Sequence, residues 1–325
     1  MSKAKVALIG CNFVGMSLGL AIKQALEHVE VIGHDKDREA VRQAESVRAI
    51  DRSDWNLPRT CEGAAAIFIC AEHDELETTL RAIADDLTPS TLVVAVGVRS
   101  VAALEMAQKL LAKDVPFFST ALVYHPDRLS DGSALPAPES IRDAIWAIAP
   151  SAGASTAMVD ALFALASQLG ARPMFIDPLE RDGMALAVEV MPAVLSRILM
   201  LAVSDDAGWR ERMWMAGASF GQAVHSARRA AALADALCAQ PKVAVHWLNQ
   251  VMRQCIALRD AIAQGDSRAI TAIFSQAEAR HQEWLSNWRK RQTEDHIPIE
   301  RDHGGLLKLL LGERLAGRLS GNKTR

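Results

Sequence analysis

The feature that most constrains this chain is the segment Gly10-Cys-Asn-Phe-Val-Gly15, which directly follows the apolar run at residues 6–9. A β-branched run, a turn bounded by glycines and a helical pattern over residues 14–26 predict a strand, a tight turn and a helix. This order matches the G-x-G-x-x-G loop, in which backbone N–H groups and a helix N-terminus bind the pyrophosphate of a dinucleotide. The segment therefore predicts a nucleotide-binding βαβ unit. A plain βαβ unit whose glycines serve only packing is the alternative.

Two positions decide how well this loop fits a dinucleotide. Asn12 stands where the second glycine normally gives the phosphates close access to the backbone, so its side chain either crowds the pyrophosphate or donates a hydrogen bond to it. Asp35 ends the next β-branched run about 20 residues past Gly15, where a carboxylate holds the ribose hydroxyls of NAD and repels the extra phosphate of NADP. We therefore predict NAD, with NADP disfavoured. The predicted cofactor-binding residues are Gly10, Asn12, Phe13, Val14, Gly15 and Asp35.

The first half of the chain alternates short β-branched runs with helical patterns, whereas the part after Asp177 shows apolar residues at helical spacing only. Because the strand runs are apolar on both faces, they predict an α/β fold: an N-terminal Rossmann-type, doubly wound parallel sheet followed by an all-α domain. The predicted domains are a Rossmann domain at residues 1–177, a helical domain at 178–292, and a C-terminal tail at 293–325.

Two further apolar segments raise the question of a membrane. Residues 184–203 form a long apolar stretch that contains Glu189 and Arg197, and a membrane span rarely holds two charges, so we predict a buried helix there. Residues 306–311, with Arg314 and Arg318, predict a short basic amphipathic helix that docks on protein or, alternatively, on a membrane surface. We expect no stable membrane insertion.

The composition of the chain and the spacing of its cysteines and histidines argue against several classes of protein. The 36 basic and 39 acidic residues give a net charge of -3, without the basic excess of a protein that coats nucleic acid. The five cysteines include no Cys-x-x-Cys pair, so neither a disulfide framework nor a zinc site is expected, and the cytoplasm is the predicted compartment. The histidines lack the His-x-x-x-His spacing of a metal site, and no Gly-x-Ser-x-Gly elbow indicates a hydrolase.

The order of the remaining motifs resembles the prephenate and arogenate dehydrogenase family over roughly residues 4–290. After the glycine loop come residues 91–97, the pair His125-Pro126 and the segment Phe175-Ile-Asp-Pro-Leu-Glu-Arg-Asp-Gly183. That family joins a Rossmann domain to a helical domain that forms the dimer. It oxidises the C4 hydroxyl of a cyclohexadienol by hydride transfer to NAD(P), with loss of the ring carboxylate as CO2. The resemblance implies an NAD-dependent dehydrogenase that binds a small-molecule substrate and forms a homodimer, with residues 178–292 as the substrate and dimerisation domain.

The resemblance also implies roles for individual residues. His125 matches the histidine that hydrogen-bonds the substrate hydroxyl and helps to remove its proton, a task that suits a neutral imidazole. A histidine that merely caps the turn before Pro126 is the alternative. The family's arginine for a substrate carboxylate follows a glycine-rich turn, which Ala216-Gly-Ala-Ser-Phe220 resembles. This chain has His225 at that position, or Arg228 after a shift of three residues.

The chain departs from the family pattern at several polar positions. Val98 stands where a serine usually assists the catalytic histidine, and Val190 and Ala193 stand where histidines flank Pro192. Two alternatives to the prephenate-type reaction therefore stay open. One is a related dehydrogenase with a changed substrate, and the other is a catalytically silent member that binds a nucleotide or acts as a scaffold.

Overall fold

The computed structural model of the protein describes residues 3–126, 135–226 and 228–293. The chain divides into two compact units: Met1–Pro178 with Asn287–Arg325 form the first, and Leu179–Ser286 form the second. The domain boundaries expected near residues 177 and 292 stay predictions. The predicted amphipathic helix at residues 306–311 lies outside the described residues.

The first unit is built on one eight-stranded sheet. Its strands are β1 (Ala4–Ile9), β2 (Val29–His34), β3 (Arg52–Ser53), β4 (Ala66–Ile69), β5 (Leu92–Val96), β6 (Phe117–Val123), β7 (Ile145–Pro150) and β8 (Arg172–Phe175). They lie in the order β3-β2-β1-β4-β5-β6-β7-β8. In β1, Val6 lies opposite Val31 on one side and Ala66 on the other, and both neighbours are parallel. The direction of winding therefore reverses at β1, which confirms the predicted Rossmann-type α/β class.

Helices cover both faces of the sheet because alternate side chains of a strand point to opposite sides. Leu8 packs in an apolar cluster with Leu18, whereas the next residue, Ile9, belongs to a second cluster with Leu80. The helices over the first face are α1 (Phe13–Ala25), α2 (Arg38–Ser46) and α6 (Thr156–Gln168). Those over the second face are α3 (Leu57–Cys61), α4 (Leu76–Ile83) and α5 (Ser100–Leu110).

One strand pair differs from the predicted parallel arrangement. β7 runs antiparallel to β6, with Thr120 opposite Ile148, and β8 is again parallel to β7. A parallel neighbour needs a long crossover, usually a helix, but the described residues between β6 and β7 contain only the single turn Pro138–Ser140. Apolar runs do not encode strand direction, so this antiparallel pair could not be anticipated from the sequence.

The described residues after β8 form helices only, as the sequence predicted. They are α7 (Pro178–Ala185), a π-helical turn (Leu186–Val190), α8 (Met191–Ser204), α9 (Trp209–Arg212), α10 (Ala218–Val224), α11 (Ala230–Ala239), α12 (Pro241–Ala263) and α13 (Ser267–Thr293). Leu186, Val190 and Leu233 form the centre of the apolar cluster that holds α8, α11 and α12 together. The second unit therefore has its own, much smaller core.

The long apolar helix of this unit is mostly uncovered in the single chain, so the burial expected for residues 184–203 stays a prediction that requires a partner. Val188 is 72% exposed and Leu201 is 58% exposed. The helical run Pro178–Ser204 passes a test of length and composition for a membrane span, as core helices of soluble proteins also do. Hydropathy predicted that this helix is apolar, but it cannot predict what covers it.

Candidate active site

The glycine loop has the geometry that only glycine permits at both ends. Gly10 adopts a φ of +94°, and a Cβ there would lie 2.8 Å from the carbonyl carbon of Cys70. A Cβ on Gly15 would overlap the carbonyl oxygen of Gly10. The absence of side chains therefore lets the turn and the first turn of α1 lie against the end of β4.

Asn12 joins this loop to the sheet. Its Oδ1 accepts a hydrogen bond from the backbone N–H of Gly15 at 3.0 Å, which makes Asn12 the N-cap of α1. Its Nδ2 donates to the carbonyl oxygen of Cys70 at 2.5 Å. Both polar groups of the side chain are thus engaged inside the protein, a role that differs from the two alternatives considered for the sequence. In the described part of the chain, the N–H groups of Phe13 and Val14 have no intramolecular acceptor and are available to an anion.

Asp35 lies beside the same loop. One carboxylate oxygen accepts from the N–H of Cys11 at 2.7 Å, and the other accepts from the N–H of Asp37 at 2.8 Å. Each oxygen keeps a second lone pair for a further donor. The carboxylate therefore fastens the end of β2 to the glycine loop and stays close to it.

The two cysteines of this region are buried. Burial, followed by the nearby charge of Asp35, raises the pKa of Cys11 to about 12. Burial likewise raises the pKa of Cys70 to about 12. Since the thiolate is the nucleophilic form, neither cysteine is a nucleophile at neutral pH. The chemistry of the site must come from other side chains.

His125 lies just beyond the end of β6, next to a residue that contacts the glycine loop. Tyr124 precedes it and meets the ring of Phe13 edge-on, with 5.9 Å between the ring centroids. The Tyr124 hydroxyl is buried and has no hydrogen-bond partner among the described residues. Burial, and to a smaller extent Cys70, raises the pKa of this phenol well above its usual range, so it stays a neutral donor. Tyr124 is a site residue that the sequence reasoning missed, although it is the single tyrosine of the chain and adjoins the predicted histidine.

A tryptophan covers His125. The His125 side chain is only 6% exposed, and the ring of Trp288 stands edge-on to it with 5.6 Å between centroids and 76° between ring planes. Trp288 lies near the end of α13, and this end of the helix, from Asn287 onward, is part of the first compact unit. No local pattern identifies Trp288, because its importance arises from a contact between residues far apart in sequence. The contact limits the access of water to the imidazole.

Val98, which stands where the family usually has a serine that assists the catalytic histidine, has apolar surroundings. Val98 is buried in the cluster that also contains Leu76 and Ala103. The buried hydroxyls nearby in the sequence belong to Ser100 and Ser119. The hydroxyl of Ser119, in β6, donates a hydrogen bond to that of Ser100 at 3.1 Å. A serine introduced at position 98 would place its hydroxyl in an apolar cluster, which generally costs about 1–3 kcal/mol. The surroundings of position 98 are therefore unfavourable for a hydroxyl.

The two candidate substrate-binding residues lie together in the second unit. His225 follows α10, is exposed, and accepts a hydrogen bond on its carbonyl oxygen from Ser196 at 3.2 Å. Arg228, three residues later, forms an ion pair with Glu189 at 3.0 Å. Glu189 was not among the predicted site residues, because a charge in an apolar helix indicated only that the helix does not span a membrane.

The predicted residues thus fall into two groups, each inside one unit. The glycine loop, Asp35 and the Tyr124-His125 pair lie in the first unit, and His225 and Arg228 lie in the second. Within residues 3–126, 135–226 and 228–293, no three His, Cys, Asp or Glu side chains converge as a metal site requires.

Comparisons with known proteins agree with a two-part Rossmann fold. Synechocystis arogenate dehydrogenase matches with a TM-score of 0.63 and 15% identity, over 86% of this chain and 99% of that chain. Prephenate dehydrogenase from Aquifex aeolicus, solved with hydroxyphenyl propionate and NAD+, matches with a TM-score of 0.70 and 11% identity, over 87% and 99%. No protein-family model matches the sequence, and no curated protein matches it closely. The chain therefore has the fold of prephenate and arogenate dehydrogenases.

We expect Asn12→Ala to destabilise the protein by about 0.5–2 kcal/mol, because the substitution removes the N-cap of α1 and the bond to Cys70. Urea unfolding measures the loss. Asn56→Ala is the matched control, since Asn56 caps α3 away from the loop. Both variants should lose stability, but only Asn12→Ala should also weaken the binding of NAD. An Asn12→Ala variant as stable as the parent would contradict the capping role.

Proposed function

We propose that this protein is a nicotinamide-dependent dehydrogenase that carries out the oxidative decarboxylation of prephenate or arogenate, a reaction of tyrosine biosynthesis in the cytoplasm. The observation that carries the proposal is the proximity of a glycine loop to a buried histidine: Phe13 of the loop contacts Tyr124, and His125 follows directly. The shared fold of prephenate and arogenate dehydrogenases supports the same reaction.

The residues of the loop fit a dinucleotide. The N–H groups of Phe13 and Val14 suit a pyrophosphate at the start of α1, and Asp35 suits the ribose hydroxyls. The neighbouring cations have partners elsewhere, since Lys36 pairs with Glu75 and Arg38 lies over the ring of Trp55. With a carboxylate present and these cations engaged, the site favours NAD over NADP. Bound NAD supplies the acceptor for a hydride.

His125 is the proposed base. Its ring takes the proton of the C4 hydroxyl as the hydride leaves C4, so that a carbonyl forms at that carbon. Loss of the ring carboxylate as CO2 leaves its bonding electron pair in the ring, which becomes aromatic. The oxygen then recovers a proton, and His125 is the group placed to return it. Trp288, edge-on to the imidazole, excludes water from this exchange.

A second candidate function is nucleotide binding without turnover. The observation that favours it is the apolar surrounding of Val98, where a hydroxyl would otherwise assist His125. A related dehydrogenase with a changed substrate is consistent with the same observation. Turnover assays with prephenate and arogenate separate these candidates from the leading proposal.

We further propose a homodimer formed through the helical unit. Among the described residues of that unit, the buried apolar side chains are few: Ala185, Leu186, Val190, Met191, Leu233, Ala244 and Ala261. Large apolar side chains on its helices are exposed instead, including Val188, Leu201, Ile256 and Phe274. A second copy of the chain presents an equally apolar surface and buries both.

The same helical surface bears on the question of a membrane, and we propose that no stable insertion occurs. Glu189 pairs with Arg228, and Arg197 donates to the carbonyl oxygen of Ser226 at 3.1 Å. Both charges of the apolar helix are therefore used in contacts inside the protein, which a bilayer-spanning helix would have to break.

We expect NAD to bind more tightly than NADP, and Asp35→Ala to reduce this preference, because the carboxylate that repels the additional phosphate is removed. Isothermal titration with both cofactors measures the two affinities. Asp54→Ala, which removes a carboxylate outside the loop, is the control and should leave the preference unchanged. Equal affinities in the parent protein would contradict the assignment of Asp35.

If the proposed reaction is correct, His125→Ala lowers the turnover rate by about 10²–10⁴-fold, the usual contribution of a positioned acid–base group. NADH formation is followed at its absorption band with prephenate and with arogenate. NAD binding should stay nearly unchanged, and His28→Ala, an exposed histidine, is the control for loss of a histidine. If neither compound supports NADH formation by the parent protein, the prephenate-type reaction is abandoned for one of the alternatives.

We expect light scattering at micromolar concentration to give the mass of a dimer. Leu201→Glu should shift the protein toward the monomer, because it places a charge on the exposed apolar face of α8. Leu135→Glu, which changes an exposed leucine of the first unit, should leave the mass unchanged. A monomeric parent protein overturns the proposal.

A further inference from the structure

One tryptophan of the first unit lies at the edge of the sheet that carries the glycine loop. β2 and β3 are parallel, and their register places Gly33 opposite Ser53. Continuing this register by two residues brings Trp55 level with Asp35, one strand further from β1. Because neighbouring strands lie about 4.8 Å apart, Trp55 and Asp35 belong to the same part of the carboxyl edge, where open α/β sheets bind their ligands.

The backbone on both sides of Trp55 is held by hydrogen bonds. The N–H of Asp54 donates to the carbonyl oxygen of Gly33 at 3.1 Å, and the carbonyl oxygen of Asp54 lies 3.0 Å from Nδ1 of His34. The N–H of Asn56 donates to the Asp54 carboxylate at 2.9 Å. These bonds tie the segment that carries Trp55 to β2, so the position of the indole is built into the fold.

Arg38 contacts the indole from the helix that follows β2. Its guanidinium carbon lies 4.7 Å from the centre of the Trp55 ring, which is a cation–π contact. Arg38 is the first residue of α2, and the N-cap of this helix, Asp37, donates its backbone N–H to the Asp35 carboxylate at 2.8 Å. A continuous series of contacts therefore connects the ring to the carboxylate that suits the ribose.

Trp55 is open to solvent despite these contacts, since it is 57% exposed. A single exposed apolar residue is common on protein surfaces and implies no function by itself. Trp55 differs because its backbone is held by β2 and its ring is held by Arg38. A flat ligand that stacks on the ring therefore loses little free energy to the ordering of the side chain.

We propose that Trp55 is the stacking surface for the adenine ring of the cofactor. This inference rests on the proposed function and adds a residue to the same site. The ribose of adenosine carries the pyrophosphate on C5′ and the base on C1′. A ribose held at Asp35, with its pyrophosphate at the start of α1, therefore directs the base away from β1 and toward Trp55.

An indole suits a purine base for reasons of shape and charge. Both ring systems are flat and aromatic, so an offset stack buries apolar area and gains dispersion energy. Adenine is neutral, so neither the guanidinium of Arg38 nor the carboxylate of Asp35 repels it. Replacing an aromatic side chain that stacks on a base by alanine generally weakens binding by about 5- to 100-fold.

Binding of ADP-ribose tests the inference, because this ligand contains the adenine but lacks the nicotinamide. Isothermal titration of the full chain should show Trp55→Ala binding ADP-ribose about 5- to 100-fold more weakly than the parent, with NAD weakened by the same factor. Trp55→Phe keeps an aromatic ring and should lose less affinity than Trp55→Ala. Trp214→Ala, which removes a tryptophan that is 84% exposed in the second unit, is the control and should change neither affinity.

Tryptophan fluorescence supplies a second readout, which does not depend on a change in affinity. A base stacked on an indole quenches its emission, so saturating ADP-ribose should quench the parent protein more than Trp55→Phe. Equal affinities of the parent and Trp55→Ala for ADP-ribose, or equal quenching of the parent and Trp55→Phe, overturns the inference. A protein that binds NAD through Trp55 but forms no NADH with prephenate or arogenate retains the inference and loses the proposed reaction.

Discussion

The arrangement of the first unit depends on the contact between the glycine loop and the end of β4. A side chain at Gly10 or Gly15 would clash with the backbone there. The Asn12 side chain hydrogen-bonds both to the start of α1 and to the carbonyl oxygen of Cys70. Because this contact holds the helix N-terminus at the point where the winding of the sheet reverses, it determines where an anion can bind. Asp35 and Tyr124 extend the same contact, from β2 and from β6.

Most of the first unit was predictable because its signals are local. Each β-branched run and each helical pattern is carried by consecutive residues, and β1 and α1 formed close to the positions predicted for them at residues 6–9 and 14–26. The antiparallel direction of β7 was not predictable, since strand direction depends on the connection and not on the run itself. The residues of the glycine loop were found by motif, but the part played by the Asn12 side chain depends on Cys70, which lies 58 positions away.

The site shows the same limit more clearly. His125 was identified because a histidine before a proline resembles a family motif, whereas Trp288 and Glu189 carry no motif and owe their places to tertiary contacts. The helical unit was correctly predicted to be helical, whereas the burial of its apolar helix stays a prediction, because the helix is mostly uncovered in the single chain. A single sequence specifies which face is apolar, but the partner that covers the face is not encoded in the same residues.

The π-helical turn at Leu186–Val190 also determines how the two parts of its helix are rotated relative to each other. An α-helix turns by about 100° per residue, so the wider π turn offsets every side chain after it from the position that a continuous α-helix would give. Ser196 and Arg197 hold the segment that contains His225 and Arg228 only in this rotational phase. Deleting one residue from the turn would leave the helix and its composition intact. It would, however, rotate Ser196 and Arg197 away from their present partners. The number of residues in the turn therefore sets the rotation of α8 about its own axis, and this number matters more than the identity of most residues in the turn.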